Sequence, residues 1–455
     1  MIKSKWQAIV SSAAIFLVLS ATVSPAQTDI AVADAQRLAY TLVERGQYSA
    51  ALELLDTLQQ DGFNETAISY IARSRAERAL GDAKEAIRSG RRAYNLAETQ
   101  AEKFLAARAT AQAHSTADNR SLAQIWLRLA SQHAPNDRAY AINRRDFNHV
   151  RARNPLSLNF NLSVRPTDNI NNAPTDNTFF FGGLTFVDPT LVPISGTRIE
   201  TTSVVTYRLP TTVNRTSELQ FVHAGRRVLL ESEASEIDPD LSASDLSSDH
   251  FAISWAHKFR RTDQRWVIDA RLRGFVDFSS GDHIQNGGSL EVGYRFPVTE
   301  NQSVRFAGEY INATRIDNDL RSFESWSAQT TWNINTEEYG RVSLDIEYTD
   351  TQSESFAVAR DEWELTAEYK LPSPVLGTSV SLTAEYQEAR FDEPLFGPEP
   401  RFDRTLSGTL TTVIPAAEMF GFVPVINLSR ERVQSNVSTF DTESTDLSVS
   451  IRSSF

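Results

Sequence analysis

The chain has 455 residues, 45 basic and 58 acidic, a formal net charge of −13 and no cysteine. Its mean hydropathy of −0.34 excludes a bundle of transmembrane helices, each of which needs about 20 nearly continuous apolar residues. The acidic balance argues against a nucleic-acid binder, and the lack of cysteine removes disulfides, thiolate zinc sites and cysteine nucleophiles. None of the 7 histidines pairs with another at the i, i+4 spacing of a helical metal site. The composition therefore predicts no enzyme, no metal site and no cofactor.

Residues 1–26 read as a signal peptide. Lys3 and Lys5 precede an apolar core from Ala8 to Leu19, and small residues lead to Ala26. That core is too short to span a bilayer, so it reads as an export signal.

Residues 27–153 carry helical periodicity. Gly46-Gln47-Tyr48 followed by Ala51 recurs as Gly81-Asp82-Ala83 followed by Ala86, a spacing of 35 residues. A third copy without the glycine carries Ala123 and Ala130, seven apart like Ala86 and Ala93. The period is close to that of tetratricopeptide repeats. Glycine permits a tight turn between paired helices, and alanine lets their backbones approach. Such a scaffold is either a groove for an extended polypeptide or a docking spacer, and periodicity does not separate the two.

From Pro155 the period changes to two. Leu156, Leu158, Phe160, Leu162 and Val164 alternate with polar residues, and the pattern returns in fourteen segments centred near 160, 203, 221, 254, 270, 292, 307, 330, 345, 366, 383, 408, 427 and 449. Alternation fits a soluble sandwich or a membrane barrel. Apolar faces that end in Phe259, Phe296, Tyr310, Trp332, Tyr348 and Tyr369 favour the barrel, whose lipid face is flanked by aromatic girdles. Connections after odd-numbered segments are polar and mostly longer, while those after even-numbered segments carry turn residues, as in an up-and-down barrel. Residues 154–455 are thus expected to form a 14-stranded antiparallel transmembrane β-barrel in the outer membrane. The expected class is multidomain, with an N-terminal all-α tetratricopeptide-like helical repeat domain in the periplasm. Arg271, Arg273, Asp277, Glu291, Arg295, Arg305 and Glu309 face inward and mix both signs, which predicts a polar interior without a dominant charge. The stretch 231–249 is acidic and 167–177 is rich in Asn and Asp, compositions that suit solvated loops and turns; divalent-cation binding by the first and calcium ligation by the second are the alternatives, the second without the EF-hand spacing.

The order of a short repeat domain and a fourteen-stranded barrel resembles Slam, the surface lipoprotein assembly modulator family. The segment Asp168-Asn169-Ile170-Asn171-Asn172-Ala173-Pro174 is similar to that family's entry into the barrel. So are Arg401-Phe402-Asp403, Pro424 to Leu428, Ser435-Asn436 and Phe440 ahead of the last strand. Phe455 ends the alternating series Leu447, Val449, Ile451 and resembles the insertion signal read by the barrel-assembly machinery. The resemblance implies an outer-membrane translocator whose partners are a client lipoprotein or secreted protein and outer-membrane lipid. Two other readings stand beside it: an exopolysaccharide export barrel, and a passive porin-like channel with a periplasmic helical binding domain.

Overall fold

The computed structural model describes residues 31–453 apart from 176, 182, 183, 188–190, 262, 264 and 395–398. The expected signal peptide 1–26 and the expected assembly signal Phe455 lie outside the described residues. The chain divides into two compact units, Met1–Asn154 and Pro155–Phe455.

The first unit is built of paired helices: α1 (Val32–Glu44), α2 (Tyr48–Gln60), α3 (Ala67–Ala79), α4 (Ala83–Leu96), α5 (Gln100–Thr116), α6 (Arg120–Gln132) and α7 (Asp137–Arg153). Polar caps fix several starts. Asp82 accepts from Glu85 N, Thr99 and Glu102 form a reciprocal capping box, and Asn136 accepts from Ala139 N, each satisfying an amide the helix leaves free. The turns that join α1–α2, α3–α4 and α5–α6 share one geometry. Gly46 (φ 76°), Gly81 (φ 97°) and Asp118 (φ 60°) adopt the left-handed conformation. The next amide of each, from Gln47, Asp82 and Asn119, donates at 2.9 Å to Leu42, Glu77 and His114 respectively, the six-to-one bond that ends a helix. Asp118 supplies the left-handed turn for which the third copy lacks glycine; Asp is among the few side chains that enter that region readily.

Small residues then set how closely the helices pack. Ala51, Ala86, Ala93, Ala123 and Ala130 are all fully buried, and Tyr48 packs half-buried on the cluster formed by Ala39, Leu42, Leu54, Leu55, Ala72 and Ala76. Gly90 is the tightest point: a Cβ there would lie 2.5 Å from Thr110 Oγ1 and 3.1 Å from Ser74 Oγ.

The second unit is a closed barrel of fourteen strands, in which each pairs antiparallel with its neighbours: β1 (Leu156–Thr167), β4 (Gly196–Arg208), β5 (Arg215–Leu230), β6 (Ser248–Arg261), β7 (Trp266–Ser279), β8 (Asp282–Pro297), β9 (Gln302–Arg315), β10 (Phe323–Thr336), β11 (Gly340–Ser353), β12 (Arg360–Lys370), β13 (Ser379–Pro394), β14 (Pro400–Val413), β15 (Phe422–Ser435) and β16 (Thr442–Ser453). Every segment centre expected from alternation falls within one of these strands. A separate hairpin, β2 (Thr178–Phe181) with β3 (Leu184–Val187), belongs to the β1–β4 connection.

Closure leaves one row of side chains outside and one inside. Leu158, Ile253, Leu272, Leu290, Phe306, Ile346, Leu365, Leu406 and Leu447 of the outer row are exposed apolar residues, which water would not favour and a hydrocarbon does. Aromatic contacts gather at both ends of this face. Tyr310–Trp326 and Tyr348–Trp363 have ring centroids 4.4 and 4.9 Å apart near the loop end. Phe259, Trp266, Tyr294, Phe296 and Phe306 form a contacting series towards the turn end.

Connection lengths follow the expected alternation only in part. The β1–β4 and β5–β6 connections are long, but β7 and β8 are joined by Ser280-Gly281 alone (φ 54° and 89°), the paired left-handed geometry of a tight hairpin. The β12–β13 and β14–β15 turns, 371–378 and 414–421, are in turn longer than this nominal loop. Strand pairing continues beyond the length that a bilayer requires, about 9–11 residues, and absorbs residues that read as loop.

Candidate functional site

The barrel lumen is where the chemistry concentrates. Strand register carries the inward row from Arg165 to Arg198 and Glu200, then Arg226, His250, Arg271 and Arg273, and on to Glu291 and Arg305. Arg305 is its best-held member, donating at 2.6 Å to Asp269 and also to Glu291. It lies over Gly293, where a Cβ would collide with the guanidinium. Gly287 makes the same room for the Phe275 ring, so both side chains lie along the wall instead of crossing the pore. His250 meets Asp277 at 2.6 Å, and Arg273 reaches Glu309 at 3.9 Å.

The expectation of a mixed-sign interior holds on this wall, whereas on the other carboxylates outnumber the cations, which include Arg360 and Arg401 in pairs with Glu362 and Asp403. From β11 to β15 the inward row holds Asp345, Glu347, Glu364, Glu385 and Glu431. Glu347 and Glu364 are direct cross-strand partners. Asp345 is held by Gln329 and Thr331 and Glu364 by Thr366, all neutral groups. Among the described residues none of these five carboxylates has an ion-pair partner. Like charges directly opposite destabilise a sheet unless water solvates them, so this wall is built for a wet lumen. The alternation carries this signal too, whereas the expectation of mixed charge rests on the rows of β7–β9.

A chamber of about 490 Å³ lies in the lumen where the first and last strands meet, lined by Asn161, Ser163, Arg165, Glu200, Arg226, His250, Thr409, Asn427, Ser448 and Ser450 among others. Its lining is mostly polar, with Ala224 and Gly225 the exceptions. Above it, the two long connections and the end of β5 share a small apolar core of Ile170, Ile194, Val228 and Ala234, against which Leu230, Ile237, Leu241 and Leu246 pack.

Within these connections asparagine serves the backbone. Asn169 exchanges hydrogen bonds with Ala173 at 2.8 and 2.7 Å, and Asn171 bonds Val192 O and Ile194 N. Among the described residues no three His, Asp or Glu side chains are grouped as metal ligands would be.

The helical unit has its own cleft, of about 420 Å³, lined by Glu65, Tyr70, Arg73, Glu77, Arg88, Arg91 and Arg92 among others. Arg73 binds Asp56 at 2.7 Å and one oxygen of Glu65 at 2.8 Å. The other oxygen, Glu65 Oε2, is buried without a partner, and so is Glu77 Oε2. Burial pushes the Glu77 carboxyl above its ordinary value, against the opposing pull of Ser89 and Arg73. Arg92 donates to Tyr70 Oη at 3.2 Å. The cleft therefore sets carboxylates and guanidinium groups side by side, with the two unpartnered oxygens buried in its wall. The expected repeat residues Gly46, Tyr48, Ala51, Gly81, Ala86, Ala93, Ala123 and Ala130 do not line it; they sit in the turns and helix contacts that shape it.

A closed fourteen-stranded barrel with an apolar exterior, aromatic ends and a charged interior defines an outer-membrane β-barrel protein. Solved structures similar to this chain include the COG4313 outer membrane channel from Pseudomonas putida F1 (13% identity, 66% of this chain and 96% of that one, TM-score 0.33). Others are OprD of Pseudomonas aeruginosa (10%, 65% and 94%, 0.34) and CdiB from Acinetobacter baumannii (12%, 65% and 60%, 0.38). No family profile and no curated protein matches the chain. The barrel assignment rests on the strand pairing itself.

Proposed function

We propose that this protein is an outer-membrane translocator that delivers surface lipoproteins or related secreted proteins across the outer membrane. In this reading the helical unit is a periplasmic, tetratricopeptide-like receiver, and the barrel is the path out. The observation that carries it is the cleft between Glu65, Glu77 and the Arg88–Arg92 face. An extended polypeptide presents both N–H and C=O groups, and this cleft is lined by carboxylate acceptors and guanidinium donors. A lumen with charge on both walls suits the passage of a polar chain, and the even strand number returns both ends of the barrel to the turn end.

The test is co-expression with candidate lipoproteins, read by antibody binding on intact cells. Deletion of residues 27–153 is expected to leave a heat-modifiable barrel and to abolish display. The passive-channel reading draws on the charge division of the lumen. It replaces ours if no lipoprotein reaches the surface while the purified protein conducts small solutes steadily in liposomes.

A further inference from the structure

The barrel closes through an incomplete seam. β1 pairs with β4 along its whole length, from Leu156↔Tyr207 to Thr167↔Gly196, and β16 pairs with β15 from Thr442 to Ser453. Between β1 and β16 the ladder covers only Asn161↔Arg452 to Val164↔Val449. Towards the loop end every residue of both strands is described, yet pairing stops.

Proline explains where it stops. Arg208 N donates to Pro155 O at 2.7 Å, so the odd-numbered residues of β1 turn their backbone groups to β4 and the even-numbered ones to β16. Pro166 therefore faces the seam, and continuation of the register sets it opposite Leu447. Proline has no N–H to give. Beyond Val164 the strands are joined by side chains. Arg165 reaches Asp446 at 3.6 Å, and both Arg165 Nε and Asp446 Oδ1 are buried without a partner. At the mouth, Thr175 N donates to Asp441 O at 2.7 Å. On one side of this gap lies the polar chamber, which Ser163, Arg165, Ser448 and Ser450 line. On the other lie Leu447, Val449 and Ile451, exposed on the lipid face.

We propose that the loop-end half of the β1–β16 seam opens as a lateral passage between lumen and membrane, and that its ligand class is the lipid acyl chain. An exposed backbone edge is costly in hydrocarbon; here part of that cost is already met, because Pro166 has removed a donor and the strands themselves are joined by one long ion pair, with the bonds of Thr175 and Ser438 to Asp441 and Thr178 left to part at the mouth. The role of the passage in releasing an acylated client rests on the translocator reading, whereas the opening itself does not.

Two measurements without any client test the opening. In the unaltered protein in lipid nanodiscs, the Leu447 amide should exchange at least about tenfold faster than those of Val449 and Ile451, which lie within the ladder. In nanodiscs of dibrominated phosphatidylcholine, a bimane label at Ser448→Cys should lose intensity, while one at Thr409→Cys, in the same chamber but away from the seam, should not. Equal protection of the three amides, or equal quenching at the two sites, overturns the proposal. Failure of lipoprotein display with both results positive would overturn the translocator reading alone.

Discussion

Gly90→Ala is the sharpest probe of how the helical unit is packed. The added methyl would lie 2.5 Å from Thr110 Oγ1, 3.1 Å from Thr110 Cα and 3.1 Å from Ser74 Oγ. Neither hydroxyl is idle: Thr110 bonds Ala106 O at 2.8 Å and Ser74 bonds Ala86 O at 2.7 Å. Overpacking of a close-packed site costs about 1–3 kcal/mol, and alanine returns about 1 kcal/mol of helix propensity. A contact as short as 2.5 Å selects the upper part of the overpacking range, about 2–3 kcal/mol, so the net is a loss of about 1–2 kcal/mol, or a factor of about 5–30 in local opening. Hydrogen exchange of α3–α5 peptides in the full-length protein should accelerate by that factor. Thr110→Ala removes the nearest atom but leaves its Cα, so Gly90→Ala should cost less in that background, with a coupling of about 0.5 kcal/mol or more. Unchanged exchange in the single variant, or strict additivity in the double, refutes the reasoning.

Glu77 predicts a pH dependence. Its folded value is raised above 4.5, so the folded state holds the proton more tightly, and its contribution is full below the unfolded value and lost as pH rises through the folded one. Thermal melts of Glu77→Gln should lack that part of the decline between acidic and neutral pH; an unchanged profile rejects it. Asp118→Gly should stabilise the third turn by about 0.5–1 kcal/mol, whereas Gly81→Ala should destabilise the second by about 1 kcal/mol or more; equal signs in chemical denaturation would dissolve the correspondence between the turns. Epitopes inserted after Asp240 should be accessible on intact cells and those after Pro374 should not, and the reverse pattern would invert the barrel.

Alternation made the strands legible because a lipid exterior and a wet interior impose opposite demands on neighbouring residues. That constraint ends with the bilayer, which is why Ser280-Gly281, a two-residue hairpin, hid inside a nominally long connection. The third helical turn was obscured by chemistry, since Asp118 takes the place of a glycine without resembling one. Pro166 was visible in the sequence, but its meaning depends on which neighbour its backbone faces, and only the pairing of β1 with β4 reveals that. The cleft carboxylates Glu65 and Glu77 were unreadable for a similar reason. Their spacing is ordinary on paper, and their importance comes from which oxygens the fold leaves without partners.

The division of charge across the lumen follows from topology. In a meander each strand lies beside the next, so position in the chain becomes angle around the barrel. Inward residues from Arg165 to Arg305, on β1 and β4–β9, carry most of the guanidinium groups, while Asp345 to Asp446, on β11–β16, carry mostly carboxylates. A gradient of charge along the sequence is thereby converted into a field across the pore. Low-dielectric walls concentrate such a field, and a polymer with both signs of charge is oriented by it without being held at one point. The same geometry returns the strands to the seam with Arg165 on one side and Asp446 on the other. The shortest ladder of the barrel thus lies where the basic and acidic walls meet.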